Sequence, residues 1–592
     1  MLTAAYRHAR FLLAGAKVDN RSLALRELRS RLGGESNPVP SGAAEGLLTT
    51  DSWGPAAILQ TMRFFHFDRS QRPTCGLCAR VALLLTGLVA LQAQPPATFR
   101  DRVQKVLDRP EYRHSRFGIE VFDIERGRVL YQLNPEQLFI PGSTTKLLTV
   151  ATALTLLGQD YRFHTLVFRS GTLERGRLKG DLILVASGDP DISNRAQPDG
   201  TLAFRNVDHS YSGLPGAEVV VGDPSVVLRD LARQVAAAGV KRIDGSVRVD
   251  ISLFPEGERE LGTGVTISPI IVNDNVVDVI ISPGPNADAP AVVNTSPETG
   301  YVTFVNHTKT GPPGGATSVS IGHDDRAANG AHNVIVEGEL PLGSKAVLRT
   351  YRVPEPSAFA AAVFTEALRK EGIKVGMASS PITVKPAQPY MPEAQLAEHI
   401  SAPFAEEAKV TLKVSQNLHA SMMPYLVGAV VGHAKEDMDQ AGFDLERGFL
   451  ERAGLDVTAA AQSDGAGGAA LFTPDFMVRF LVYLTKQVFF PAYFAALPVL
   501  GKDGTLWDIQ VNSPAAGHVM AKTGTYGSYN ALGKNLMVDG KGLAGYVKTK
   551  DGRMLAIAAY ANFVAVDPAI GAHLVGDALG EIAAAAYDAP FE

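Results

Sequence analysis

The order of apolar and polar positions divides the chain into stretches of different character. Phe99–Leu107 has helical spacing. Phe117–Leu133 (FGIEVFDIERGRVLYQL) alternates about a Glu125-Arg126-Gly127 turn, which predicts a hairpin. Pro141-Gly142 then breaks the chain, and Ser143–Leu157 is apolar at helical spacing, as in a buried helix. From Val167 to Pro392 short β-rich runs alternate with Gly, Pro and Asn turns: Gly180–Val185, Gly245–Val249, Val276–Ser282 and Val302–Asn306, interrupted by one helix at Ser357–Glu371. After Pro403 the helical pattern returns in Phe404–Val431, with a break expected near Pro424, in Asp444–Ala453 and in Thr473–Lys486. Strands at Leu543–Lys548 and Met554–Ala561 and a helix at Ala569–Tyr587 close the chain. The expected fold class is mixed α/β (α+β), a discontinuous unit of 98–166 plus 401–592 with an inserted β-rich region, 167–400, of two small domains.

The N-terminus follows a different logic. Val81–Leu91 (VALLLTGLVAL) is too short to span a bilayer but suits the apolar core of a secretory signal. Arg69, Arg72 and Arg80 precede it, and Met62 stands where such a signal would start. Residues 62–93 therefore read as a signal peptide, and 1–61 as an extension or a mis-assigned start. Both cysteines, Cys75 and Cys78, fall in the removable part and lack a second ligand pair, so they suggest neither metal nor disulfide. Residues 1–93 carry 11 of the 56 basic and 6 of the 61 acidic residues, leaving 45 against 55, a net charge of −10 on the mature chain. That balance argues against nucleic acid as a partner and fits an exported, periplasmic protein without a stable membrane anchor.

Ser143-Thr144-Thr145-Lys146 is the only S-x-x-K in the sequence. Three residues apart on a helix, a serine and a lysine share a face. A serine hydroxyl attacks only when a neighbour takes its proton, and a lysine does so when burial or a second cation disfavours its charge. A helix start also favours developing negative charge. Two further triplets complete such a site, S-x-N and K-T-G, and each occurs twice. Order selects Ser415-Gln416-Asn417 over Ser528-Tyr529-Asn530, which follows a K-T-G. It also selects Lys522-Thr523-Gly524-Thr525 over Lys309-Thr310-Gly311, which runs into Pro312-Pro313 and is expected to be a turn. The Lys522 segment is expected at a sheet edge, where an extended peptide adds as another strand.

With these motifs in this order the chain resembles the class C low-molecular-mass penicillin-binding proteins, the D-alanyl-D-alanine carboxypeptidase/endopeptidase family. The likeness runs from Arg100 to Phe563. It includes Pro141–Lys146 (PGSTTK), Leu184–Asp191 (LVASGDPD), Val336–Gly343 (VEGELPLG), Lys502–Leu506 (KDGTL), Lys522–Thr525 (KTGT) and Gly545–Asn562. The resemblance implies a serine DD-peptidase/β-lactamase-like fold and an acyl-enzyme on peptidoglycan stem peptides, with β-lactams as covalent inhibitors. It assigns Ser143 as nucleophile, Lys146 as general base, Ser415 as proton relay, Asn417 as the group orienting Lys146, and Lys522 as the cation that lowers the Lys146 pKa. Thr523, Gly524 and Thr525 would bind the substrate carboxylate strand, with the N–H groups of Ser143 and Thr525 as oxyanion hole. Asp250, in Asp250–Phe254, would touch the substrate's diaminopimelate side chain, or else is a strand-end turn residue.

The pattern departs from the family at three places: Gln416 replaces the usual Asp, Ser421 the usual Glu, and Ala466 the Ser of a D-G-S-G segment. His419, two residues after Asn417, reads as packing or surface. No other His has metal-ligand spacing and no nucleotide motif occurs, so no cofactor or metal is expected. A serine β-lactamase or esterase on the same framework, and a non-catalytic peptidoglycan-binding protein, stay as alternatives. Carboxypeptidase against endopeptidase preference, and oligomeric state, are not decided by the sequence.

Overall fold

A computed structural model of the chain describes residues 97–327, 330–376, 383–384 and 389–591. The extension, the signal segment and Cys75–Cys78 lie outside the described residues. Five antiparallel strands run side by side through the sheet that carries the Lys522 motif, β1 (Arg116–Asp123), β2 (Arg128–Leu133), β3 (Val519–Asn530), β4 (Asn535–Lys548) and β5 (Met554–Asn562), and a sixth, Val564–Val566, also pairs with β4. Their order is β2-β1-β5-β4-β3, so the predicted hairpin pairs with a strand more than 400 residues later, Ile119 opposite Ala559. Alternation along β5 explains why both faces of the sheet are buried. Leu555, Ile557, Ala559 and Ala561 join Phe99 and Val103 of α1 (Phe99–Leu107) and Leu579 and Ile582 of the closing helix His573–Asp588. Ala556, Ala558 and Tyr560 face a second core with Leu147 and Leu148 of α2 (Lys146–Leu157) and Phe476 and Phe480.

The described residues from 97 onward belong to one compact unit. Within it, residues 164–400 build further small sheets. Gln395–Ile400 pairs back onto His164–Arg169, which closes the excursion beside the point where it opens. The helix Val226–Ala237, which packs Leu228, Leu231 and Val235 into that core, is absent from the pattern-based expectation.

Three expectations need correction. Lys309–Gly311 is not a turn. It ends the ten-residue strand Val302–Gly311, paired in parallel with His332–Pro341, because Pro312 falls just past the last ladder position. The helical run after Pro403 breaks at Val414–Gln416 and not at Pro424, giving α3 (Phe404–Lys413) and α4 (Asn417–Val430). Pro424 stays inside α4; the Ala420 carbonyl four residues back lies 2.0 Å from where a Cβ on Gly465 would stand, so a glycine-containing loop packs over it. The α-helix expected from Ser143 begins instead at Lys146, after a 3-10 turn over Gly142–Thr145. Among the described residues no helix is long and apolar enough to cross a membrane.

Candidate active site

The 3-10 turn that feeds α2 holds Ser143 beside Lys146, and Lys146 Nζ lies 2.8 Å from Ser143 Oγ. Ser415 sits at the α3–α4 junction with φ +63°, a left-handed conformation that a side chain with a Cβ adopts only when its surroundings hold it there. Two hydrogen bonds do so: Tyr211 donates its hydroxyl hydrogen to the Ser415 carbonyl, and Gln416 caps α4 through Oε1 and Leu418 N (2.9 Å). The bend aims Ser415 Oγ between two amines, 3.3 Å from Lys146 Nζ and 2.9 Å from Lys522 Nζ. Asn417, the first residue of α4, accepts from Lys146 Nζ at 2.5 Å. Ser143, Lys146, Ser415, Asn417 and Lys522 are thus one connected network, although 379 residues separate its ends. Lys146 and Lys522 are fully buried, while Ser143 is half-buried.

Burial drives the electrostatics. It pushes the Lys146 amine down to about 7 from 10.5, opposed by the carboxylates of Glu260 and Asp464. Burial, and then the neighbouring amines of Lys146 and Lys541, hold Lys522 well below the usual lysine range. Lys146 acts on Lys522, whereas it is burial, and not the Lys522 amine, that lowers Lys146, so Lys522 does not act as the cation expected to lower the base.

Glycine lets the turn and the strand meet. Gly142 has φ +52°, and a Cβ there would sit 2.5 Å from Thr525 N. A Cβ on Gly524 would sit 1.9 Å from the Pro141 carbonyl oxygen and 2.9 Å from Ser143 N. The backbone N–H groups of Ser143 and Thr525 therefore lie close to each other beside the Ser143 side chain. β3 is the edge of its sheet, and only its start is covered, by an isolated bridge between Val499 and Met520. Thr523 Oγ1 pairs with Thr505 Oγ1 at 2.7 Å.

Lys541 belongs to none of the sequence motifs. It lies opposite Thr525 in the β3–β4 register and donates to Thr525 Oγ1 at 2.7 Å. Burial lowers it to about 8. Its cross-strand position can be found only once the pairing is known. Asp250 is not brought to this network: at the end of Val247–Asp250 it accepts from the Tyr390 hydroxyl and from Ser252 N, both at 2.8 Å. Lys309 lies in a different sheet from Lys522. His419 is fully buried and ion-paired, not a surface group.

A model of the D-Ala-D-Ala carboxypeptidase 3 (S13) family matches residues 99–575. The chain belongs to that family. With membership comes the reaction class, a serine-type D-Ala-D-Ala carboxypeptidase, a hydrolase of peptidoglycan peptides. It is 29% identical over 462 residues to the D-alanyl-D-alanine carboxypeptidase of Actinomadura sp. (strain R39), covering 73% of this chain and 77% of that one. It is 23% identical over 432 residues to D-alanyl-D-alanine carboxypeptidase DacB of Haemophilus influenzae, covering 71% and 82%. The crystal structure of penicillin binding protein 4 (dacB) from Haemophilus influenzae superposes with a TM-score of 0.61 at 20% identity, over 81% of this chain and 97% of that one, so the fold is shared.

Two departures from the family pattern have local explanations. Gln416 spans outward as well as capping α4, its Nε2 donating to Ser210 Oγ (3.3 Å) and Asp208 Oδ1 (3.4 Å) of the insert. At Ala466 the backbone N–H is held by Asp464 Oδ1 at 2.7 Å, so this loop keeps its shape without a serine hydroxyl.

Proposed function

We propose that Ser143 is the acylated nucleophile of a DD-peptidase, with Lys146 as its general base. The observation that carries this is the single network linking Ser143 Oγ, Lys146 Nζ, Ser415 Oγ and Lys522 Nζ. A neutral Lys146 takes the Ser143 proton as Oγ attacks the penultimate D-Ala carbonyl. The new oxyanion is met by the N–H groups of Ser143 and Thr525. Ser415, between the two amines, returns the proton to the departing D-Ala nitrogen, and water then releases the acyl group. The peptide lies along the edge of β3, its terminal carboxylate at Thr523, Thr525 and Lys541. The catalytic unit is 98–166 plus 401–592, with 167–400 as insert. The enzyme acts in the periplasm after removal of a signal peptide.

The β-lactamase alternative needs a carboxylate free to activate water. The two whose charges act on Lys146 are already engaged. Glu260 accepts from Gly262 N, Thr263 N and Thr263 Oγ1, and Asp464 accepts from Ala466 N, Gly467 N and Ala469 N. Mass analysis of muropeptides after incubation with the mature protein tests the proposal. Loss of a terminal D-Ala or opening of D-Ala cross-links is expected; unchanged muropeptides together with rapid penicillin turnover would overturn it.

A further inference from the structure

Behind the Ser415 junction lies a buried charged layer that the acyl-transfer chemistry does not use. Six carboxylates are buried there: Asp189, Asp191, Asp208, Asp274, Asp278 and Glu407. Arg195 holds Asp208 and Asp274 at 2.6 and 2.7 Å, and His209 bridges Asp274 and Asp278 at 2.6 and 2.8 Å. His399 stands 3.5 Å from Asp189, and His419 Nε2 is 2.7 Å from Asp274 Oδ1. One guanidinium and three imidazoles face six carboxylates. Even with every imidazole protonated, two of the carboxylates still need a proton or a further cation, since uncompensated buried charge is costly, and burial together with the neighbouring Glu407 carboxylate holds Asp191 well above the usual carboxylate range. Asp274 is the middle of three consecutive left-handed residues, Asn273 to Asn275, so the backbone is strained to deliver it.

The unmatched charge has a focus. Single ligand atoms of Asp191, Glu407 and His419 lie within 4.8 Å of one another. Asp191 Oδ1, Glu407 Oε2 and His419 Nδ1 are each buried without a hydrogen-bond partner. Nδ1 is 3.0 Å from Glu407 Oε1 yet makes no hydrogen bond to it. The other ring nitrogen of His419 is tied to Asp274, the arrangement that orients a ligating imidazole. The companion group Asp208, His209 and Asp274 differs, because Arg195 already supplies its cation.

We propose that Asp191, Glu407 and His419 bind one divalent transition-metal ion of the zinc or manganese type, the ions suited to one imidazole with carboxylates. The ion would clamp the insert, through Asp191, to α3 and α4, two residues beyond Asn417. Its ligands come from three separate segments, which is why motif spacing gives no sign of it.

The experiment uses the mature protein purified without chelator, with metal content measured by mass spectrometry and thermal unfolding followed with and without added zinc or manganese. It is independent of the peptidase reading, since neither readout requires turnover. About one equivalent of metal is expected, or saturable uptake of one with a rise in Tm, and a fall in Tm on chelation. Glu407→Gln and His419→Gln lose the ion, whereas Asp278→Asn, outside the ligand set, keeps it. Protein that is metal-free as purified and whose Tm neither ion moves would show that a proton or a water serves there instead and overturn the proposal. Unchanged metal content in both ligand variants would do the same, and the wild-type measurements decide the matter if those variants fail to fold.

Discussion

Replacing Lys146 by arginine tests the base directly. Arginine keeps a cation and hydrogen-bond donors but has a pKa above 12 and cannot accept the Ser143 proton. A lysine at 10.5 is neutral in about one molecule in 3,000 at pH 7, whereas one lowered to about 7 is neutral in about half. Burial of Lys146 thus raises the reactive fraction by about three orders of magnitude, and Lys146→Arg forfeits at least that. The sign of the pH dependence follows from the same reasoning. The base must be neutral, so the second-order rate of covalent labelling by a fluorescent penicillin rises about tenfold per pH unit below 7 and flattens above it; at pH 6 it is about a tenth of its plateau. A wild-type rate that is flat from pH 5.5 to 9, or a Lys146→Arg protein labelling within tenfold of wild type, would refute the assignment of the base.

Four further outcomes are expected. Ser143→Ala removes covalent penicillin labelling while its Tm stays near wild type, since the hydroxyl is half-exposed and its removal costs Lys146 a single hydrogen bond; an adduct forming at the normal rate would end the assignment. Lys309→Ala, in its separate sheet, leaves acylation unchanged whereas Lys522→Ala slows it strongly, and the reverse pattern in a labelling assay would mean the motif order misled. Lys541→Met removes a cation beside Thr525, and losing a charge-assisted hydrogen bond worth about 1.5–3 kcal/mol raises KM for D-Ala-D-Ala peptides about ten- to hundredfold with little change in kcat; steady-state kinetics that show a fall in kcat alone would move Lys541 out of substrate binding. With Glu260 and Asp464 engaged by their own loops, the penicillin adduct persists for many turnovers' worth of time after free drug is removed, and its rapid loss in a mass-spectrometric chase would point to a water-activating carboxylate elsewhere.

What the sequence discloses and what it hides separate along a physical line. Period and punctuation are local, so the hairpin Phe117–Leu133, the helix after Pro141-Gly142 and the two closing strands are all legible, and the order of three short motifs selects the copies of S-x-N and K-T-G that converge. Ser415 reads as part of a continuous helix because nothing in its own composition favours φ +63°; the conformation is held by Tyr211 and Gln416, whose partners come from a segment two hundred residues away. The expected break at Pro424 fails for a related reason. The Ala420 carbonyl that Pro424 leaves without its helix partner is closely approached by Gly465, a long-range neighbour that the local pattern around Pro424 does not disclose. Lys541 and the Asp191–Glu407–His419 group are invisible for the same cause, since each acquires its meaning only from a cross-strand or cross-segment neighbour. Strain at Ser415 and at Asn273–Asn275, and carboxylates gathered where charge is expensive, are features that local rules disfavour. They gather around the Ser415–Asn417 junction, where the proposed catalytic geometry has to be held, so local rules fail where the chemistry we propose would make its demands.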